Sequence, residues 1–254
     1  MNSEMKTRGG GELANRFLAA FNVVDHQLSA LVGGQYRQSF KQQVALASRR
    51  NMYVKRYAED LLQYADLRNV IVHTRRANAV IAEPHEEVVT ELEHISKLLS
   101  NPPVIADVMT LRPRTVCKEA SVGEVLRLFR RYDISRCPIV SNDGVLGLVT
   151  AKCIVKWLEA VAEENSLEEV GAKVSVESSL LVAVEALLTY SSDNEYEIVG
   201  RGVSVGEVAE IFQRGIAGGS YTQAVLVTAS GERKSPLVGI VTPSDLPRLF
   251  EAEQ

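Results

Sequence analysis

Cysteine, histidine and long apolar runs are all scarce in this chain, and each scarcity closes off a class of protein. Cys117, Cys137 and Cys153 are odd in number, widely spaced and never in Cys-x-x-Cys register, among 254 residues. That pattern excludes a disulfide framework and a thiolate zinc centre, so no metal is expected and the cysteines should be reduced. No apolar run approaches the ~18 residues that a membrane span requires. The polar, glycine-rich start from Met1 to Gly11 lacks the apolar centre of a signal peptide. A soluble cytoplasmic protein with no membrane partner is the expectation. The four histidines, His26, His73, His85 and His94, all fall in the first hundred residues, so any histidine-dependent proton transfer belongs there. His85 and His94 lack a metal-ligand spacing and read as exposed helical residues.

Apolar residues make up 46% of the chain, enough for two ordinary domains with separate cores. The net charge of −4 hides an asymmetry, because residues 1–100 carry 13 Lys/Arg against 11 Asp/Glu and the remainder carries 15 against 21. Between Arg37 and Arg76 nine basic residues, Arg75 and Arg76 among them, face three acidic ones. Such a surface suits a phosphate backbone, and equally a solvated helical face.

Helical periodicity fills the first hundred residues. Phe17, Phe21, Val24, Leu28 and Leu31 form one stripe ended by Gly33-Gly34. Phe40, Val44 and Ala47 mark a second helix, Tyr57 to His73 lie in a third, and a fourth opens at Pro84 with Glu86 and Glu87. In the third helix Arg68 and Asn69 interrupt two apolar stripes and His73 follows at i+4 from Asn69. Burying such groups without partners costs several kcal/mol, which makes them candidates for a site. Asn101-Pro102-Pro103 cannot continue a helix and sets a domain boundary. The expected division is a flexible start over 1–12, a helical bundle over 13–101 and a second domain over 104–254.

Beyond that boundary short β-branched runs alternate with helices, giving an α+β chain overall. Cys137 to Val140, Asp143-Gly144 and Val145 to Thr150 read as strand, turn and strand. Ala224 to Thr228, Gly231 and Leu237 to Thr242 repeat the pattern, and Ser121-Val-Gly-Glu-Val matches Ser204-Val-Gly-Glu-Val. The first copy covers about 104–162 and the second about 195–254, a tandem repeat with pseudo-twofold symmetry. Residues 163–194 have helical signals and no visible repeat partner.

Val108-Met109-Thr110, Pro138-Ile139-Val140, Gly147-Leu-Val-Thr150 and Gly239-Ile-Val-Thr242-Pro-Ser-Asp245-Leu resemble a pair of cystathionine-β-synthase-type (CBS) domains, known as a Bateman module. The resemblance implies a cleft for an adenine nucleotide (AMP, ADP, ATP or a cyclic dinucleotide). Thr242 and Asp245 would meet ribose hydroxyls, a helix N-terminus and Arg248 would meet phosphate, and backbone around Val203 and Ala224 would flank the base. In the first copy Cys153 stands where Asp245 stands in the second, so one nucleotide is expected rather than two.

The four-helix reading with Arg68-Asn69-x-x-x-His73 resembles the HEPN superfamily. It implies metal-independent cleavage of single-stranded RNA by a homodimer, with His73 moving a proton, Arg68 holding phosphate, Asn69 orienting them and Arg75 and Arg76 contacting RNA. Arg75 occupies the position where some toxin members carry a modified tyrosine. The resulting expectation is a nucleotide-regulated ribonuclease. The alternative is a noncatalytic nucleotide-sensing adaptor whose helical domain dimerises or binds a protein.

Overall fold

A computed structural model describes residues 11–33, 38–73, 83–164, 182–191, 195–217 and 221–251. The chain divides between Pro103 and Val104 into two compact units.

In the first unit helix α1 (Glu12–Leu31) buries Phe17, Phe21, Val24 and Leu28 at helical spacing. It packs with α2 (Phe40–Ala47), α4 (Ala58–His73) and α5 (Glu86–Ser100) around one apolar core. Phe17 meets Tyr64 edge to face at 6.1 Å, and Phe21 stacks on Phe40 at 4.7 Å. A two-pronged ion pair ties α1 to α5, with Arg16 Nε and Nη2 donating to Glu93 at 2.9 and 2.7 Å. The Tyr64 hydroxyl donates to Glu91 at 2.5 Å; burial raises its pKa, and the bond to Glu91 adds to that.

Four helices were expected here, and five occur among the described residues. The extra one, α3 (Met52–Arg56), starts where the Asn51 side chain accepts from Val54 N–H at 3.1 Å. The chain leaves helical geometry at Tyr57 (φ −102°, ψ 19°) before α4 begins. Tyr57 therefore serves both helices, its N–H donating to Tyr53 O at 3.1 Å at the end of α3 and its carbonyl accepting from Leu61 N–H at 2.9 Å at the start of α4.

Among the described residues the second unit holds two small sheets. One has the order β2 (Val116–Cys117), β3 (Arg136–Ser141), β4 (Gly144–Thr150), with β2 parallel to β3 and β3 antiparallel to β4. The other has the order β1 (Thr110–Leu111), β7 (Leu237–Val241), β6 (Ala224–Thr228), β5 (Tyr196–Gly200), with β5 parallel to β6. Helices α6 (Val122–Tyr132) and α7 (Ala151–Glu164) accompany the first sheet, and α8 (Val205–Ala217) and α9 (Leu246–Glu251) the second. The repeated Ser-Val-Gly-Glu phrase is a helix start in both halves. Ser121 and Ser204 receive the N–H of Glu124 and Glu207 at 3.2 Å, and each glutamate accepts from its serine N–H in return.

Each half is completed by a segment from the other. Val104 bridges Ser204, Ile105 N–H donates to Val203 O at 2.8 Å, and Ile105 and Met109 lie in the core formed by Val205, Val208, Phe212 and Val225. Symmetrically, Ala183 bridges Ser121, Val184 N–H donates to Ala120 O at 2.7 Å, and Val184 and Leu187 lie in the core with Val122, Val125 and Ile139. Two glycines fix the correspondence. A Cβ on Gly239 would fall 2.2 Å from Met109 Sδ, and one on Gly147 would fall 2.4 Å from Leu188 Cδ2. Residues 182–190 are thus the repeat partner of 103–111, a partner that periodicity did not reveal because the segment is a short 3-10 turn rather than a strand or α-helix.

Candidate functional site

With Gly147 matched to Gly239, the strand registers equate Thr150 with Thr242, Cys153 with Asp245, Arg136 with Ala224 and Arg114 with Glu197. The halves are therefore alike in backbone and unlike in side chains at the ends of their strands. A cavity of about 280 Å³ opens at one of these ends, lined among others by Thr110, Arg114, Ser135, Arg136, Thr242 and Asp245.

Its acidic corner is built by a short turn. The Asp245 carboxylate accepts from Thr242 N–H at 2.8 Å and from the Thr242 hydroxyl at 3.0 Å, both through Oδ2. Oδ1 is left facing Arg248 Nη1, 3.8 Å away. Asp245 keeps 16% of its side chain exposed, so that oxygen can accept from a ligand hydroxyl.

The basic side of the cavity comes from the first half. Arg136, the first residue of β3, donates through Nη1 to Gln223 O and through Nη2 to Ser135 Oγ at 3.4 Å. Burial lowers its pKa, while Tyr221 and Asp245 oppose that shift, and a guanidinium remains charged at neutral pH. Arg114 lies over the Tyr132 ring, 4.3 Å from its centroid. Its carbonyl accepts from the Cys137 thiol at 3.1 Å, and burial pushes that thiol's pKa up to about 12, so it stays a neutral donor. Ile134, Pro138 and Ile240 supply the apolar part of the wall. Two cations, an acceptor backed by a hydroxyl, and a small apolar surface form a set suited to a flat, phosphorylated polyol.

Of the residues expected from sequence, Thr242 and Asp245 line this cavity, and Val203, Ala224 and Arg248 are absent from its lining. The Ala224 side chain is fully buried in β6, within a core of Val145, Leu148, Tyr196, Leu226 and Ile240. Val203 packs against the second half's core and uses its carbonyl on Ile105. Arg248 points its charge at Asp245 from an exposed position. The expected helix N-terminus is also a weak anion site, because α9 has only six residues and little dipole. The cations that line the cavity are Arg114 and Arg136, and the sequence pattern singled out neither. The available signal was the repeat itself: Arg136 occupies a register position where the other copy has alanine.

In the helical unit Arg68 is half-buried and Asn69 is exposed, with Arg68 Nη1 donating to Asn69 Oδ1 at 3.3 Å. The buried polar interruption expected in α4 is thus a surface pair, since the helix turns Leu61, Tyr64 and Ile71 inward instead. His73 is the last residue of α4. Arg75 and Arg76 lie outside the described residues. Among the described residues no group of His, Cys, Asp or Glu could hold a metal ion, and no helix is long and apolar enough to cross a membrane.

No curated protein matches the chain. Among solved structures it is similar to a putative acetoin utilization protein, AcuB, from Vibrio cholerae, at 23% identity and TM-score 0.41, covering 58% of this chain and 90% of that one. A structure of CBSX2 in complex with AMP matches at 18% identity and TM-score 0.42, covering 59% and 96%. The CBS domain pair of protein MJ0100, in complex with 5′-methylthioadenosine and S-adenosyl-L-methionine, matches at 19% identity and TM-score 0.40, covering 60% and 99%. Residues 105–160 match the family model of the CBS domain, and a CBS domain is present in this chain.

Proposed function

We propose that the second unit is a regulatory adenine-nucleotide receptor and that its ligand sits in the cavity walled by Arg114, Arg136, Thr242 and Asp245. The observation that carries the reading is the convergence of two arginines with the Thr242–Asp245 pair in one cavity of a CBS-domain chain. Asp245 Oδ1 accepts from a ribose hydroxyl while Oδ2 stays on Thr242. The guanidinium groups of Arg114 and Arg136 take the phosphate, and the Ile134, Pro138 and Ile240 surface takes the base. Titration calorimetry with AMP tests this, with one molecule bound per chain as the expected result. Asp245→Asn keeps an oxygen for Thr242 but exchanges the other acceptor for a donor, and AMP affinity is expected to fall about tenfold. Unchanged affinity would move the ribose elsewhere.

The helical unit is read as a noncatalytic output module that dimerises or binds a protein. The nuclease expectation rests on the Arg68-Asn69-x-x-x-His73 motif, and in this chain Arg68 is half-buried and donates to Asn69, which is exposed. A nucleotide that prefers one arrangement of the CBS halves then acts on the helical units by linkage, to the extent of its differential affinity for the two arrangements. The ribonuclease reading is separated from this one by incubating the protein with labelled single-stranded RNA, with and without AMP, ATP or a cyclic dinucleotide. Wild type and His73→Ala are expected to leave the RNA equally intact. Cleavage that His73→Ala abolishes would reinstate Arg68, Asn69 and His73 as an active site.

A further inference from the structure

The counterpart of the nucleotide cavity, at the other end of the repeat, is differently made. Five of the positions that line the cavity at half exposure, Pro113, Ile134, Arg136, Thr242 and Asp245, correspond by strand register to Tyr196, Thr222, Ala224, Thr150 and Cys153, and all five of these are buried. The charges change as well. Glu197 stands in the place of Arg114 and Ala224 in the place of Arg136, so neither guanidinium has a counterpart.

What fills this second cleft is Glu195. Its side chain is nine-tenths buried, with Oε2 3.9 Å from Cys153 Sγ and Oε1 3.2 Å from the ammonium of Lys152. Cys153 and Lys152 are the counterparts of Asp245 and Ser244, both of which line the open cavity. Cys153 is in turn locked to Thr150, its N–H donating to the Thr150 hydroxyl oxygen at 3.2 Å and its sulfur 3.1 Å from the same atom. A carboxylate is costly to bury and is tolerated here beside a cation whose own side chain is 57% exposed.

We infer that Glu195, pinned by Lys152, is a built-in plug of the second cleft, and that it determines the pair's stoichiometry by closing this cleft to phosphate-bearing ligands. Only the statement about stoichiometry rests on the nucleotide reading above; the closure itself does not. Occupation by a carboxylate also repels a second phosphate group electrostatically, so steric and charge exclusion act in the same direction.

Cys153 is a reporter of the plug, since it is fully buried beneath Glu195, whereas Cys117 is exposed and Cys137 is buried in the separate core of the first half. Native protein is treated with iodoacetamide, and alkylation at each cysteine is followed by peptide mass mapping. In wild type Cys117 is expected to react and Cys153 to stay unmodified. In Glu195→Ala, Cys153 is expected to react about tenfold faster or more while Cys137 remains protected, which shows that the fold is intact. Lys152→Ala, an exposed change that leaves the core untouched, is expected to raise Cys153 reactivity by a smaller factor. If Cys153 reacts as fast in wild type as in both variants, the plug does not exist. Calorimetry with AMP on the same preparations reads the other half of the inference. Two molecules per wild-type chain would overturn it, whereas no binding with the labelling contrast preserved would overturn the nucleotide reading and leave the plug standing.

Discussion

Arg136→Ala is expected to weaken AMP binding roughly 30- to 100-fold, the largest loss from any single side chain in the cavity, since a hydrogen-bonded charge removed from a partly desolvated site costs more than a neutral contact. Arg136 opens β3 at the cavity wall, and burial already works against its charge. A dianionic phosphate relieves that strain, so part of the ligand's binding energy comes from neutralising a cation the fold holds in place. Arg136→Lys keeps the charge but loses the planar fork that reaches Gln223 O and Ser135 at once, and is expected to recover only part of the affinity. The measurement is a thermal unfolding series with and without AMP. At a hundredfold excess over its dissociation constant the nucleotide stabilises wild type by about 2.7 kcal/mol, and that increment is expected to fall to about 0.4–0.9 kcal/mol in Arg136→Ala at the same concentration. Ligand-free stability is expected to change little, because the lost side-chain hydrogen bonds lie at the start of β3, outside the sheet's ladder. An undiminished AMP shift would remove Arg136 from the site.

The acidic corner of the site was readable from a contiguous motif, and the basic side was not. Thr242 and Asp245 are three residues apart on one turn, so their meeting is a local matter of chain geometry. Arg114 and Arg136 reach the same cavity only after two sheets from distant parts of the chain have formed, and no local pattern encodes that meeting. Strands β3, β4, β6 and β7 were legible because β-branched runs flank tight turns at Asp143-Gly144 and near Gly231. Strands β1 and β2, two residues each, are too short to show any period. In α4 Leu61, Tyr64 and Ile71 form the buried stripe, and Asn69 sits one step around the helix on the solvent side instead of interrupting it. A polar residue beside an apolar stripe is weak evidence of burial when the stripe's edge is itself exposed.

The exchange of segments between the two halves leads to the second large effect, Ile105→Ala. Ile105 is the first residue of the short turn after Val104; it is fully buried and packs with Met109, Val205, Val208 and Phe212. Deleting its side chain removes apolar surface from the core of the second half and leaves a cavity, at a cost of about 2–5 kcal/mol. Sequence position alone would assign that damage to the first copy, whose strands β3 and β4 follow Ile105 by some thirty residues. The structure assigns it to the second, because Ile105 N–H bonds to Val203 O and the chain then pairs β1 with β7, Thr110 opposite Ile240. Hydrogen exchange distinguishes the two. In Ile105→Ala, amides of β6, β7 and α8 are expected to lose protection first, and those of β3, β4 and α6 to follow only with global opening. Val184→Ala is the mirror experiment, since Val184 is fully buried against Val122 and Val125, and its loss is expected first in β3, β4 and α6. Thr110 lines the cavity proposed for the nucleotide and belongs to the same exchanged segment, so Ile105→Ala is also expected to lower AMP affinity although Ile105 is not part of the cavity's lining. Protection lost first in β3 and β4 of Ile105→Ala would contradict the exchange.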